Sequence, residues 1–227
     1  MPELPDLEAY LAALEARTLG SRLEQVRLTS PFLLRSVRPG LQEVHGKRVV
    51  GLRRLGKRLV FDLEGDLFLV LHLMIAGRLR WKGSGATPPK RRGLAAFDFE
   101  SGTLILTEAG SKKRASLYLA EGLEGLAFHD PGGVEPLQVD IETFRAVLER
   151  ERHTLKRSFT DPRLFAGIGN AYSDEILHRA RLSPFKLSDS LSADESEQLF
   201  EATRVTLEEW CARLKSEIGD GFPDKVT

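Results

Sequence analysis

The chain has 227 residues and a mass of 25.3 kDa, and it is 41% hydrophobic and 29% charged, so it can bury the core of one large or two modest domains. No run of 18 apolar residues occurs, and the first ten residues lack the basic-then-apolar order of a signal peptide. We therefore expect no membrane partner and a cytoplasmic location. A lone Cys211 excludes an internal disulfide and a multi-cysteine zinc site, and the five scattered histidines indicate no metal site.

The net charge of zero, from 33 basic and 33 acidic residues, conceals an uneven distribution. Residues 1–130 hold 20 Lys and Arg against 15 Asp and Glu, whereas residues 131–227 hold 13 against 18. Between residues 47 and 92 there are twelve basic residues and three acidic ones. Such a concentration is typical of a phosphate-binding surface, although a solvated face of a sheet gives the same pattern.

The first predicted element is an amphipathic helix that leaves residues 1–4 free. Pro5 suits a first helical turn and Gly20 follows its end. The apolar face has helical spacing and consists of Leu7, Tyr10, Leu11 and Leu14.

From about residue 22 to residue 120 the sequence predicts strands. Glu64-Gly65-Asp66 and Glu100-Ser101-Gly102 are short turns, which favour antiparallel pairing in a sandwich or barrel. Residues 83–93, GSGATPPKRRG, predict a mobile exposed loop. The eight β-rich runs are VRLTS, RVVGLRRL, RLVFDLE, DLFLVLHL, GRLRW, LAAFDFE, GTLILTE and RASLYL.

After PGGVEPL at 131–137 the pattern becomes helical. Asp140 can cap one helix, and Ser192 with Glu195 forms a capping box that opens a longer one. The segment 167–170, Gly-Ile-Gly-Asn, lies between two further helical stretches. We predict a β domain over residues 1–130 and a helical domain over residues 131–227.

Pro2 could supply unusual chemistry. Removal of Met1 would leave a secondary amine that is nucleophilic near neutral pH, and its attack on a sugar C1′ or an aldehyde would give an iminium ion that acts as an electron sink. Glu3 could transfer protons beside it. Many chains begin Met-Pro for no chemical reason, so position 2 alone carries little weight.

Five motifs in order give that position its significance. They are MPELPDLEAY, Gly56-Lys57, HLMIAGRL at 72–79, VEPL at 134–137 and GIGNAYSDEIL at 167–177. In this order they resemble the formamidopyrimidine-DNA glycosylase and endonuclease VIII family, and the MPELP start is more similar to the former branch. The resemblance implies an α+β fold, an antiparallel β-sandwich flanked by helices and followed by a helix-two-turn-helix domain.

The resemblance also implies an activity: a bifunctional DNA glycosylase and AP lyase of base-excision repair, a monomer without a cofactor in this chain, acting on damaged double- or single-stranded DNA. Pro2 would be the nucleophile, Glu3 the acid/base, and Lys57 a phosphate contact near the lesion. Asn170 would hold backbone phosphate and Glu175 would orient the catalytic end. Lys156 matches a further phosphate-binding position.

Simpler roles remain open for several of these residues. Glu3 could only favour the positive end of the first helix, and Asn170 could only cap the next one. Gly167 and Gly169 could serve as turn formers, and His72 is expected to be a packed residue.

The chain departs from the family pattern at two loops and at its end. Ile75, preceded by Met74, stands where the resemblance implies a methionine that fills the space of an extruded base. The segment 107–118 replaces a loop that supplies an arginine and an aromatic residue, and it keeps only the charge, on Lys112, Lys113 and Arg114. The four-cysteine zinc finger that normally follows is missing here, so zinc is expected only if a longer protein carries it.

Two alternatives have no catalytic role: a protein that binds lesions or single-stranded DNA, and a helical half that binds RNA or protein. The second gives no reason for the PELP start. The sequence does not identify the preferred lesion.

Overall fold

The computed structural model describes residues 1–110 and 112–223. Within them it has eight strands, six α-helices and two short 3-10 turns, Leu41–Val44 and Ser188–Ser190. The strands are β1 Arg22–Leu28, β2 Lys47–Leu55, β3 Arg58–Leu63, β4 Leu67–His72, β5 Gly77–Lys82, β6 Gly93–Phe99, β7 Gly102–Glu108 and β8 Ser116–Glu121. The helices are α1 Leu4–Thr18, α2 Gly122–Ala127, α3 Ile141–Glu149, α4 Leu155–Thr160, α5 Asn170–Arg179 and α6 Ala193–Ile218.

The strands form an antiparallel sandwich, as predicted. Their hydrogen-bonded order is β5-β7-β6-β1-β2-β3-β4-β8, and each β run of the sequence contributes one strand. Only two residue pairs join β1 to β2, Arg22 with Arg48 and Leu23 with Lys47, so the sheet divides there into two halves. The halves face each other across one core, where the rings of Phe61 and Phe99 stack 6.1 Å apart.

Strands β3 and β4 are buried on both faces, which explains their nearly continuous apolar sequence. Leu59 and Phe61 point into the sandwich core, whereas Val60 and Val70 point outward. Leu126 of α2 packs on that outward side. The short helix after the last strand therefore covers the back of the sheet.

Helix α1 lies between the sandwich and the helical half. Its Leu7, Tyr10 and Leu14 enter the sandwich core, while Leu4 packs in the cluster formed by the helices. The helix begins at Leu4 rather than at Pro5, because the Glu3 amide donates to the Asp6 carboxylate at 2.9 Å and closes the first turn. The sequence-based expectation that residues 1–4 are free of the helix is therefore wrong for Leu4.

The predicted helix starts are confirmed in the second half. The Asp140 carboxylate accepts the Thr143 amide at 2.8 Å, and Ser192 and Glu195 exchange the two bonds of a capping box. Residues 167–169 lie between α4 and α5 as predicted, whereas Asn170 is already the first residue of α5. The domain boundaries, 1–130 and 131–227, stay a prediction. In the part of the chain that the structure describes, no helix is long and apolar enough to cross a membrane.

The helical core is organised around the fully buried Phe144, whose ring lies 5.1 Å from that of Phe165 and 5.3 Å from that of Phe200. We expect Phe144→Ala to lower the free energy of unfolding by about 3–5 kcal/mol, because it removes apolar contacts and leaves a cavity. Phe128→Ala is the matched control, since Phe128 is 91% exposed. Urea titrations measure both, and equal losses in the two variants would contradict this assignment.

Candidate active site

The Glu3 carboxylate caps α5, a helix that lies outside the sandwich. Its oxygens accept the amides of Gly169 at 2.7 Å, Ala171 at 3.0 Å and Tyr172 at 3.1 Å, at the start of α5. The first amides of a helix lack partners within it, and its N-terminus attracts negative charge. Glu3 is only 2% exposed, so these bonds are shielded from water. The carboxylate satisfies α5 rather than its own helix α1.

The backbone around this contact is equally close. The Leu4 amide donates to the Gly167 carbonyl at 3.0 Å. Gly167 has a φ of +79°, and a Cβ there would lie 2.9 Å from the Leu4 Cβ. A Cβ on Gly169 would lie 2.5 Å from Glu3 Oε1 and 2.8 Å from Lys57 Nζ. Both glycines are needed for this close approach and are more than turn formers.

The same geometry places Lys57 beside Glu3. Lys57 follows Gly56, which turns with a φ of +57° between β2 and β3. Burial lowers the pKa of the Lys57 ammonium, and the nearby Glu3 carboxylate acts in the opposite direction. An anion bound to Lys57 would stabilise the ammonium charge and so offset the hydration that the ammonium loses on burial.

A buried arginine, Arg54, fixes the turn that carries Lys57. Its side chain is 8% exposed, donates to the Gly56 carbonyl at 2.9 Å, and pairs with Glu8 at 3.2 Å and with Glu135. Glu135 belongs to the VEPL motif, whose role the sequence did not reveal. These ion pairs join β2, α1 and the segment before α3.

Two further polar groups near Lys57 were not expected to form part of the site. His72 and Arg58 are cross-strand neighbours on β4 and β3. Burial, assisted by the charges of Arg58 and Lys57, lowers the pKa of His72 to about 4, so its ring is neutral at pH 7. The Arg58 Nε is buried and has no hydrogen-bond partner among the described residues. His72 is packed in the sheet, as expected.

The remaining predicted residues lie on α5, on α4 and at the start of the chain. Asn170 is exposed and follows Gly169 directly, so it adjoins the Glu3 contact. Glu175 is exposed further along α5. Lys156 forms an ion pair with Asp174 at 2.6 Å. Pro2 is buried next to Glu3 in the chain.

The loop between β4 and β5 presents an apolar side chain to solvent. Met74 adopts a φ of +53°, and the Gly77 amide donates to the Leu73 carbonyl at 2.9 Å. This tight turn leaves Ile75 57% exposed. The turn therefore directs the Ile75 side chain away from the core.

The basic loop after β7 is tied down by one buried carboxylate. Glu108 accepts the Arg114 amide at 2.9 Å and the Ala115 amide at 3.2 Å, and Lys113 donates to the Glu108 carbonyl. The side chains of Lys112 and Arg114 are exposed. Glu108 therefore holds the backbone of Arg114 and Ala115 beside the exposed cations.

Together these residues can transfer protons beside Pro2. A carboxylate, an ammonium group and the second residue of the chain lie at the start of α5, at the junction of the two halves. Between residues 1–110 and 112–223, no three His, Cys, Asp or Glu side chains are grouped in a way that would hold a metal ion. Acid-base and nucleophilic steps are the chemistry that this arrangement offers.

Comparison with known proteins identifies similar chains. The family model described as the formamidopyrimidine-DNA glycosylase N-terminal domain matches residues 1–168, and that of the H2TH domain matches residues 133–220. The formamidopyrimidine-DNA glycosylase of Carboxydothermus hydrogenoformans is 34% identical over 212 residues, which cover 91% of this chain and 76% of that protein. Its counterpart from Thermus thermophilus is 37% identical over 222 residues, covering 92% and 75%.

Solved structures agree with this likeness. The crystal structure of Lactococcus lactis Fpg with DNA containing an abasic site has a TM-score of 0.83 and 26% sequence identity, and it covers 92% of this chain and 79% of that one. A complex of MutM with DNA containing carbocyclic 8-oxo-G has a TM-score of 0.84 at the same identity.

The Gly169 contact gives a direct test of the site's packing. We expect Gly169→Ala to lower the free energy of unfolding by about 1–3 kcal/mol, because its Cβ would overlap the Glu3 carboxylate. Gly169 has a φ of −133°, so no left-handed backbone contributes. Gly83→Ala is the control, because a Cβ there would meet nothing within 4 Å. Chemical denaturation with no difference between the variants would refute the close approach.

Proposed function

The chain belongs to the formamidopyrimidine-DNA glycosylase family, and from this membership we propose that it is a bifunctional DNA glycosylase and AP lyase of base-excision repair. The observation that supports the proposal is the position of Glu3, which directly follows Pro2 and is fixed at the start of α5 beside Lys57. The substrates would be oxidised or ring-opened bases in duplex DNA. The enzyme would act in the cytoplasm on nucleoid DNA.

Pro2 would perform the first step once Met1 is removed. The lone pair of its nitrogen forms a bond to the sugar C1′, and the bond between C1′ and the damaged base breaks, so the base leaves with the electron pair and takes up a proton. The C1′–O4′ bond then opens, Glu3 delivers a proton to O4′, and the nitrogen becomes the iminium. Because the amine is secondary, its iminium has no N–H proton to lose and keeps its positive charge.

Strand cleavage would follow from that iminium. Its positive charge accepts the electrons released when a proton leaves C2′, and the 3′ phosphate departs from C3′ in β-elimination. A second elimination releases the 5′ phosphate. Glu3, held by three amides, is placed to take and return these protons.

Binding would rest on phosphate contacts from both halves. Lys57 would supply a half-buried cation from the sandwich side, and Asn170 would supply an amide at the start of α5. Ile75, with Met74 before it, would fill the space that the extruded base leaves. Lys112, Lys113 and Arg114 would contribute charge near the opposite strand. Lys156 would bind a further DNA phosphate, and Glu175 would orient the catalytic end of the chain.

The proposal predicts that Pro2 forms a covalent adduct with abasic-site DNA that borohydride reduces. The reason is chemical: the free secondary amine of Pro2 gives an iminium that is charged without needing a further proton, and the reductant converts this iminium to a stable amine. A preparation whose N-terminus has been verified to begin at Pro2 is incubated with the DNA and borohydride, and mass spectrometry of the digested adduct locates the linkage. Protein that retains Met1 should give no adduct at residue 2.

Two variants complete this experiment. Pro2→Gly should reduce trapping by about tenfold or more, because the secondary amine is lost. Glu3→Gln should still bind DNA but excise intact damaged bases at least about a hundredfold more slowly, because the acid/base is lost. Linkage at a lysine, or no linkage with processed protein, would contradict the assignment of Pro2. Normal binding without any adduct would favour a noncatalytic protein that binds lesions or single-stranded DNA.

A further inference from the structure

A second basic surface lies on the outer face of the sandwich. Strand β5 is at the edge of the sheet, and its Arg78, Arg80 and Lys82 alternate with the core residues Leu79 and Trp81. Side chains two residues apart share one face of a strand, so the three cations form a row about 13 Å long. Arg80 and Lys82 are exposed.

This row lines a formed groove. Its floor includes Ile105 and Thr107 of β7, which stand opposite Arg80 and Arg78 in the strand register. The groove encloses about 570 Å³, and Arg92 closes it from the side of the loop between β5 and β6. A neighbouring cavity of about 430 Å³ shares Arg92 and adds Arg91 and Lys113.

The loop that forms the far wall is anchored to the sheet. The Ala86 carbonyl accepts Arg27 Nη2 at 2.7 Å, and the Gly85 amide donates to Thr103 Oγ1 at 3.0 Å. Arg27 is itself held by two hydrogen bonds to Asp98. The wall therefore exists before any ligand arrives.

The electrostatics of the groove are one-sided. No Asp or Glu lines either cavity, although the whole chain has as many acidic as basic residues. Across the described ranges 1–110 and 112–223, Arg80, Lys82 and Arg92 take part in no ion pair. The unpaired charges of Arg80, Lys82 and Arg92 favour a ligand that carries regularly spaced negative charge.

The groove is continuous with the loop that holds Ile75. Ala76 lines the groove, and Arg78 Nη1 donates to the Ile75 carbonyl at 3.1 Å. At this same end, Lys113 lines the neighbouring cavity and donates to the carbonyl of Glu108, which stands opposite Gly77 in the strand register. A DNA strand that passes Ile75 can therefore continue along β5 without leaving the protein surface.

We infer that this groove binds the phosphate backbone of one DNA strand beyond the lesion and so extends the enzyme's footprint to one side. The occupant is a nucleic-acid strand because the groove carries a row of cations and begins at the loop between β4 and β5, which holds Ile75. The inference rests on the proposed function for the placement of the lesion, whereas the groove itself rests on its own residues.

The test compares the unaltered protein with a groove variant, which combines Arg80→Gln, Lys82→Gln and Arg92→Gln. Glutamine keeps most of each side chain and removes the charge. The control variant combines Arg179→Gln, Arg204→Gln and Arg213→Gln, which lie on α5 and α6 and change the net charge equally. The DNAs are abasic-site duplexes of about 10 base pairs and duplexes extended by about 10 on either side.

On the duplex extended along the groove, the groove variant should bind at least about tenfold more weakly, and the slope of log affinity against log salt should fall by about 3, close to 0.9 per lost contact. The short duplex and the other extension should show neither change. Equal loss on the short duplex, no loss on any duplex, or an equal loss in the control variant would overturn the inference.

Borohydride trapping at saturating DNA separates this result from the catalytic proposal. The groove variant should trap the short abasic duplex as well as the unaltered protein does. If no protein traps DNA but the length-dependent loss remains, the catalytic proposal fails and the groove stands.

Discussion

The bonds between the Glu3 carboxylate and the first amides of α5 are the contact on which the rest of the site depends. They join residues 166 to 169 positions apart and connect the start of the chain to the helical half. Because Glu3 is buried, its charge needs these donors, and because α5 begins there, its amides need an acceptor. Each partner satisfies the other, and the residue next to a candidate nucleophile is held in place.

Several features follow from this contact. Gly167 and Gly169 must lack side chains for Glu3 and Leu4 to approach the start of α5 so closely. Lys57 gains a neighbouring negative charge but loses water, and Arg54 with Glu135 fixes the turn that carries it. A neutral chain can hold a net positive charge on residues 1–130, with 20 basic against 15 acidic residues, because residues 131–227 carry the compensating acidic excess of 18 against 13.

The sequence predicted what is local and missed what is distant. The eight strands, the Asp140 cap and the Ser192 capping box depend on residues within a few positions of one another, and all are confirmed. The partners of Glu3 and the pairing of Arg54 with Glu135, 81 residues away, depend on tertiary packing that no periodicity encodes. Motif order indicated which residues matter, but not that Glu3 caps a helix other than its own.

Amide hydrogen exchange in a Glu3→Ala variant tests the central contact most directly. Loss of the acceptor should accelerate exchange at Gly169, Ala171 and Tyr172 by about tenfold or more, since each then lacks its buried partner. Ala180, whose amide donates to Ile176 at 2.9 Å within α5, should keep its protection. Unchanged exchange at all three amides would show that Glu3 does not hold the start of α5 and would contradict the account.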